Sequence, residues 1–280
     1  MNGALSGAMR RLLSVLLLLA LAGVLLALWG YRNALADPVR REARVALPGL
    51  RTPLRIAFLT DIHVTGPDVP PARVARLVAD VNAAGPDLVL IAGDFVGDRH
   101  LATRAYPPAE IAAPFAALRP RLGTIAVLGN HDHGHDAPAI RRALEAAGVR
   151  VLVNQAVRAG PVTVAGADDA FTGRDDIPAM EKATAALGGP SILLSHSPDV
   201  VPNLSRRFPL VLAGHTHCGQ VSLPLLGPPV TFTRTGKRYA CGIDRDGIRM
   251  VITGAGLGTS MLPIRVGAPP DWWLVTLGPE

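Results

Sequence analysis

Residues 54–63 read LRIAFLTDIH, an apolar run that closes on Asp61 and His63. The run reads as a strand, and the two polar residues sit where that strand ends. The same ending recurs four more times in the chain. Leu88–Ala92 closes on Gly93-Asp94, and Thr124–Leu128 closes on Gly129-Asn130-His131-Asp132. Ser191–Ser195 closes on His196, and Leu210–Ala213 closes on Gly214-His215-Thr216-His217. Residues i and i+2 of an extended segment point to one side, so Asp61 and His63 can reach one ion, and His215 with His217 can do the same. Gly93 lets the backbone approach beside Asp94, whose carboxylate can bridge two cations. Asn130 offers an amide oxygen and His196 a ring nitrogen. Asp, His and Asn together suit borderline divalent ions such as Mn, Fe or Zn. Jointly these residues point to a binuclear metal centre built from strand-end loops.

Around these strands the periodicity alternates. Residues 71–84 predict a helix, with Val74, Leu77, Val78 and Val81 on one face, opened by Pro70-Pro71 and stopped by Gly85-Pro86. Shorter helices are expected over 109–118, after Asp136, and over 178–187. Further strands are expected at 151–153, 162–165, 237–243, 248–253 and 273–277. Early β-α alternation followed by a β-rich tail suggests an α/β protein of two sheets flanked by helices.

A chain of 280 residues that is 49% hydrophobic can bury a large single domain plus an appendage. The formal charge of +6 is carried by Arg, since Lys182 and Lys237 are the only lysines. A basic surface favours phosphate substrates or an anionic membrane face. With aromatics at 4% and no basic run interleaved with them, no nucleic-acid partner is expected. Cys218 and Cys241 form neither a disulfide framework nor a zinc-ribbon spacing, and read as structural thiols unless the domain is exported, where they can bridge.

Leu12–Trp29 carries no charge and at helical rise spans roughly 27 Å, close to a hydrocarbon core. Arg10 and Arg11 precede it, and Trp29 and Tyr31 suit the far interface. The expected organisation is a signal anchor over residues 1–36, a linker over 37–53 and a catalytic domain over 54–280. Cleavage after Ala34-Leu35-Ala36 is the alternative for the first segment. The expected orientation puts the N-terminus inside and the domain on the outer, periplasmic side.

The motifs from Asp61 to His217 resemble the calcineurin-like metallophosphoesterase superfamily. Residues 54–63, 214–220 and 256–265 resemble more narrowly its membrane-associated or exported bacterial branch, of the YkuE and YaeI type. The resemblance implies a four-layer α/β/β/α sandwich of two mixed sheets, with two divalent metal ions as cofactors. It implies that Asp61, His63 and His217 hold the first metal, that Asp94 bridges, and that Asn130, His196 and His215 hold the second. His131 would stand outside the metal shell, facing the phosphate-ester substrate. The implied reaction is hydrolysis of a phosphodiester or pyrophosphate by a metal-bridging hydroxide, on a substrate that can be lipid-linked. Some relatives hydrolyse UDP-2,3-diacylglucosamine-type lipid A precursors, and others are non-catalytic scaffolds. Many relatives orient the substrate-facing His with an Asp three residues after the bridging one. Here that position is Gly97, and Asp98 takes the role only if the loop shifts by one residue. His133 and His135 read as rim or solvated residues, His100 as surface, and Asp132 as a loop hydrogen-bonder. Residues 63–71 and 223–234 are expected to form the substrate rim.

Overall fold

A computed structural model describes residues 7–97 and 101–279; Asp98 and His100 lie outside the described residues. Twelve strands occur among those described: β1 (Val39–Ala46), β2 (Leu54–Leu59), β3 (Leu88–Ala92), β4 (Thr124–Val127), β5 (Val149–Val151), β6 (Gln155–Ala159), β7 (Val162–Gly166), β8 (Ser191–Leu194), β9 (Leu210–Ala213), β10 (Gly242–Asp246), β11 (Arg249–Thr253) and β12 (Asp271–Gly278). They form two six-stranded sheets, ordered β1-β12-β2-β3-β4-β5 and β10-β11-β9-β8-β7-β6. Both are mixed. β2 to β5 run parallel while β12 runs antiparallel to β2. β7, β8, β9 and β11 run parallel, with antiparallel β6 and β10 at the edges.

Strand alternation divides the side chains into layers. Ile56, Phe58, Leu88 and Leu90 meet Ile192, Leu194, Leu210 and Leu212 of the other sheet in one inner core. Ala57, Leu59, Val89 and Ile91 face outward and are covered by the helix Pro71–Ala84. The outer face of the second sheet, including Leu193 and Val211, packs on Met180, Val200 and Phe208. The fold is therefore an α/β/β/α sandwich, and the central strands are apolar throughout because neither face meets water.

Six helices are described, of which α1 is Gly7–Ala34, α2 Pro71–Ala84, α3 Pro108–Ala112, α4 Asn130–His135, α5 Ala137–Ala146 and α6 Ile177–Leu187. The α2 bounds coincide with the apolar stripe, and Gly85 ends it in the left-handed conformation at φ 60°. Asp136 and Asp176 cap α5 and α6 by accepting from Ala139 N and Ala179 N, each at 3.0 Å. Within Met9–Ala34 an 18-residue stretch of α1 has a mean hydropathy of 2.8, and the helix is long enough to cross a membrane.

Two stretches differ from the sequence reading. Residues 39–46, within the expected linker, form β1 and pair in parallel along the whole of β12. The exposed, Arg-rich pattern that read as a linker is that of an edge strand with one face in water. The strand expected at 237–243 starts only at Gly242, because Tyr239 takes a positive φ of 61° and cannot continue an extended run.

Candidate metal centre

The site forms where the two sheets present the C-terminal ends of their parallel strands. Beyond β2 and β3 the backbone ladder continues into the loops, from Asp61 N to Gly93 O at 3.1 Å and from His63 N to Asp94 O at 2.9 Å. Beyond β8 and β9, Gly214 N donates to His196 O at 2.8 Å. The sheets are stitched across the site. His215 N donates to Asp61 Oδ2 at 3.0 Å, and the His196 Nδ1–H reaches Ala92 O at 2.7 Å. Asp61, His63, Asp94, His196 and His215, five of the seven expected ligands, are thereby set beside one another by main-chain bonds and by these two bonds between side chain and backbone.

Their convergence does not come from extended i, i+2 geometry. Asp61, His63, Asp94, His215 and His217 all have positive φ, between 48° and 69°. Each such residue costs of order 1–3 kcal/mol and persists because the surrounding structure fixes it. The left-handed turn at each ligand bends the side chain back over the strand ends. Glycine makes room for this: a Cβ on Gly214 would run into the Thr60 hydroxyl and the Asp61 carboxylate, and one on Gly129 into the Asp94 carboxylate.

Two separate donor clusters result, with a third group overlapping both. Asp61, His63 and His217 form one and Asp94, His196 and His215 the other, while His63, Asp94 and His131 come together between them. Asp94 Oδ2 lies between them, 3.2 Å from His196 Nε2 and 3.6 Å from His63 Nε2. Asn130 Oδ1 joins the second cluster, 3.0 Å from His196 Nε2 and 2.9 Å from His215 Nδ1. The outward ring nitrogens fix the tautomers: His63 Nδ1 lies 3.1 Å from Val96 O, and His215 Nε2 lies 3.1 Å from Phe232 O. The lone pairs of His63 Nε2 and His215 Nδ1 therefore face inward, and His63 Nε2 lies 3.1 Å from His217 Nε2. Two ligands about 2.1 Å from one ion at a right angle lie about 3 Å apart, so the pair is spaced as ligands of a single ion. His217 Nδ1 is also buried without a partner among the described residues.

The electrostatics agree. Burial pushes the Asp61 carboxyl up to about 7, against the pull of His196 and with the push of Asp94. Burial also raises Asp94, but His196, His63 and His131 outweigh it and hold that carboxyl well below its ordinary range. Burial pushes His215 down to about 4, and burial with His63 and Arg265 pushes His217 well below its usual value. Burial lowers His196, but Asp94 and Asp61 outweigh it and hold that imidazole well above its ordinary value. The lowered imidazoles of His215 and His217 beside buried carboxylates form a donor set that fits divalent cations.

Residues 54–219 match the Calcineurin-like phosphoesterase family. The chain belongs to that family. It is 32% identical to the phosphodiesterase YaeI of Escherichia coli, over 80% of this chain and 82% of that one. It is 31% identical to the metallophosphoesterase YkuE of Bacillus subtilis, over 72% of this chain and 71% of that one. It is 29% identical to a zebrafish transmembrane protein with a metallophosphoesterase domain, over 94% of this chain and 62% of that one. The chain is thus a metal-dependent phosphoric ester hydrolase.

The other residues singled out in the sequence lie around the clusters as follows. His131 opens α4, donates its backbone N–H to Asp94 Oδ1 at 2.9 Å and places its ring edge-on to His63 at 4.9 Å. Its side chain is 22% exposed and faces the cavity over the site. Asp132 ties loops together: it accepts from Phe95 N, Val96 N and Gly129 N at 2.8–3.1 Å. His133 pairs with Asp168 at 2.7 Å, and His135 is exposed. Cys218 and Cys241 form a disulfide immediately after His217. Their reading as free structural thiols is therefore replaced by the bridge that export permits.

Sequence reasoning missed three contributors. Thr60 donates to Asp61 Oδ2 at 2.7 Å, and Phe171 stacks on His215 with ring centroids 4.3 Å apart. Arg265 is fully buried and donates to the carbonyls of Ala255, Gly256, Gly258 and Ala268, shaping the loop beside His63. The Gly-rich run 254–258 followed by Arg265 was the available signal.

Proposed function

We propose that this phosphoesterase hydrolyses phosphodiester or pyrophosphate bonds at a membrane with two divalent ions, of Mn, Fe or Zn type. The sharing of Asp94 between two donor clusters carries the reading. Asp61, His63 and His217 would hold one ion, Asn130, His196 and His215 the other, and Asp94 both. When bound, such a pair acidifies a water and neutralises charge on the phosphoryl oxygens. The chain's own residues do the rest. Val96 O and Ala92 O hold His63 and His196 in the tautomer that turns Nε2 inward. His131, outside the metal shell, donates a hydrogen bond to the phosphoryl group and protonates the departing oxygen. Asp98 is assigned the orientation of His131, on the sequence alone.

The apolar α1 supports a single-pass anchor. The Cys218–Cys241 bridge supports an outer placement of the domain, since disulfides persist in oxidising compartments. That placement disfavours a cytoplasmic nucleotide-lipid such as UDP-diacylglucosamine as substrate. The test is hydrolysis of bis-p-nitrophenyl phosphate by the full chain, metal-stripped and reloaded with Mn, Fe or Zn. Metal-dependent turnover that Asp94→Asn and His131→Ala each lower at least about 100-fold is expected. Turnover that persists in both variants contradicts the assignment.

A further inference from the structure

The cavity over the metal centre extends well beyond the donor clusters. It measures about 380 Å³ and is lined, away from His131 and His215, mainly by apolar residues, among them Val221, Val230, Met261 and Ile264. Two lining residues, Phe232 and Met261, are 60% and 62% exposed, and Leu225 and Leu226, on the turn between the lining residues Val221 and Pro229, are 107% and 69% exposed. Large apolar side chains exposed together in this way mark a surface that meets another apolar phase.

The position of α1 identifies that phase. The helix is docked on the domain at the same wall. A Cβ on Gly30 would sit 3.2 Å from Ile264 Cβ, and Ile264 also lines the cavity. Arg265 N donates to Gly30 O at 2.9 Å, and Asn33 Nδ2 donates to Arg265 O at 3.2 Å. From α2, the buried Arg73 clamps the helix end through Ala34 O at 2.8 Å and Ala36 O at 2.7 Å. The cavity wall thus lies one side chain from the point where the chain leaves the apolar helix.

We propose that the cavity takes the hydrocarbon chain of a membrane lipid whose phosphoester is the substrate, entering sideways from the bilayer past Leu225, Leu226 and Met261. The proposal rests on the phosphoesterase reading of the metal centre. Water supplies the new oxygen, the scissile P–O bond breaks, and the lipid alcohol or headgroup leaves with a proton.

The test uses the metal-loaded full chain in nanodiscs and p-nitrophenyl alkyl phosphates with alkyl groups from methyl to decyl. Release of p-nitrophenolate is the readout. In the wild type, kcat/KM should rise about two- to fourfold per methylene until the cavity is filled. Met261→Glu and Val230→Glu, both at exposed positions the fold tolerates, should flatten that rise. A flat wild-type profile with turnover of the methyl ester intact overturns the lipid proposal but not the phosphoesterase reading. A rise that both variants leave unchanged reflects partition into the bilayer and also overturns it. No turnover of any ester sinks the phosphoesterase reading and the lipid proposal with it.

Discussion

His63 Nε2 and His217 Nε2 face each other 3.1 Å apart although they stand 154 residues apart in the chain. Each sits on a residue forced to positive φ, and the Nδ1 of His63 is held by Val96 O. Spaced in this way, the two nitrogens suit the coordination of one cation, and the predictions below concern the groups that hold them there.

Gly214→Ala should break the first cluster. The added methyl falls on Thr60 and Asp61, which cannot move without shifting the strand ends. Overpacking of this kind costs about 1–3 kcal/mol. Thermal unfolding of the metal-free variant should show that loss, and isothermal titration should show one metal site weakened far more than the other.

Asp132→Ala should be more damaging than its distance from the phosphoryl group suggests. It strands three buried N–H donors, of Phe95, Val96 and Gly129. A buried donor left unsatisfied costs about 1–3 kcal/mol. Chemical denaturation should report a loss of about 3 kcal/mol or more, and kcat should fall because Gly129 and Phe95 flank Asn130 and Asp94. Asp132→Asn, which keeps an acceptor, should recover much of the stability.

The contribution of Asp61 to the stability of the metal-free protein should fall as pH rises from about 4 to 7. Asp61 keeps its proton to about 7 in the folded state, against 3.8 as its ordinary value. In that window Asp61 binds fewer protons in the unfolded chain than in the folded one, so its own slope of stability with pH is negative. His215 and His217 are lowered and give slopes of the opposite sign below their ordinary value, and the Asp94 contribution is already complete above its own. Asp61→Asn should therefore make the slope over this window more positive than in the wild type, measured by denaturation curves. Metal binding near pH 7 should release protons and tighten with pH, measurable by titration in buffers of different ionisation enthalpy.

Reduction of Cys218–Cys241, or a double Ser substitution, should destabilise the domain. The bridge closes a loop of 23 residues in sequence separation, for which chain entropy gives about 3 kcal/mol. The same change loosens the turn carrying His217. The midpoint of unfolding should fall, and affinity for metal should fall with it.

Much of this was legible in the chain, for reasons that differ by element. The α2 stripe and the five strand-end motifs were readable because each is written in contiguous residues with a fixed period. The pairing of β1 with β12 was not, since exposed edge strands carry little apolar signal and their partners lie over 200 residues away. The candidate ligands are legible as residue types, but their geometry is not. Extended spacing predicted convergence, and left-handed turns produce it. Nor does local sequence indicate that Arg265 would be buried among four carbonyls or that Gly30 would rest on Ile264. The first depends on the loop of residues 255–268 folding back around its own arginine, the second on α1 docking against that loop.

The central claim is that one carboxylate, Asp94, joins two metal sites. Its most direct test is the metal content of the full chain after stripping and reloading, measured by inductively coupled plasma mass spectrometry beside Asp94→Asn. The account predicts two ions per wild-type chain and one or none in the variant. A single ion in the wild type, or two in both proteins, would contradict it.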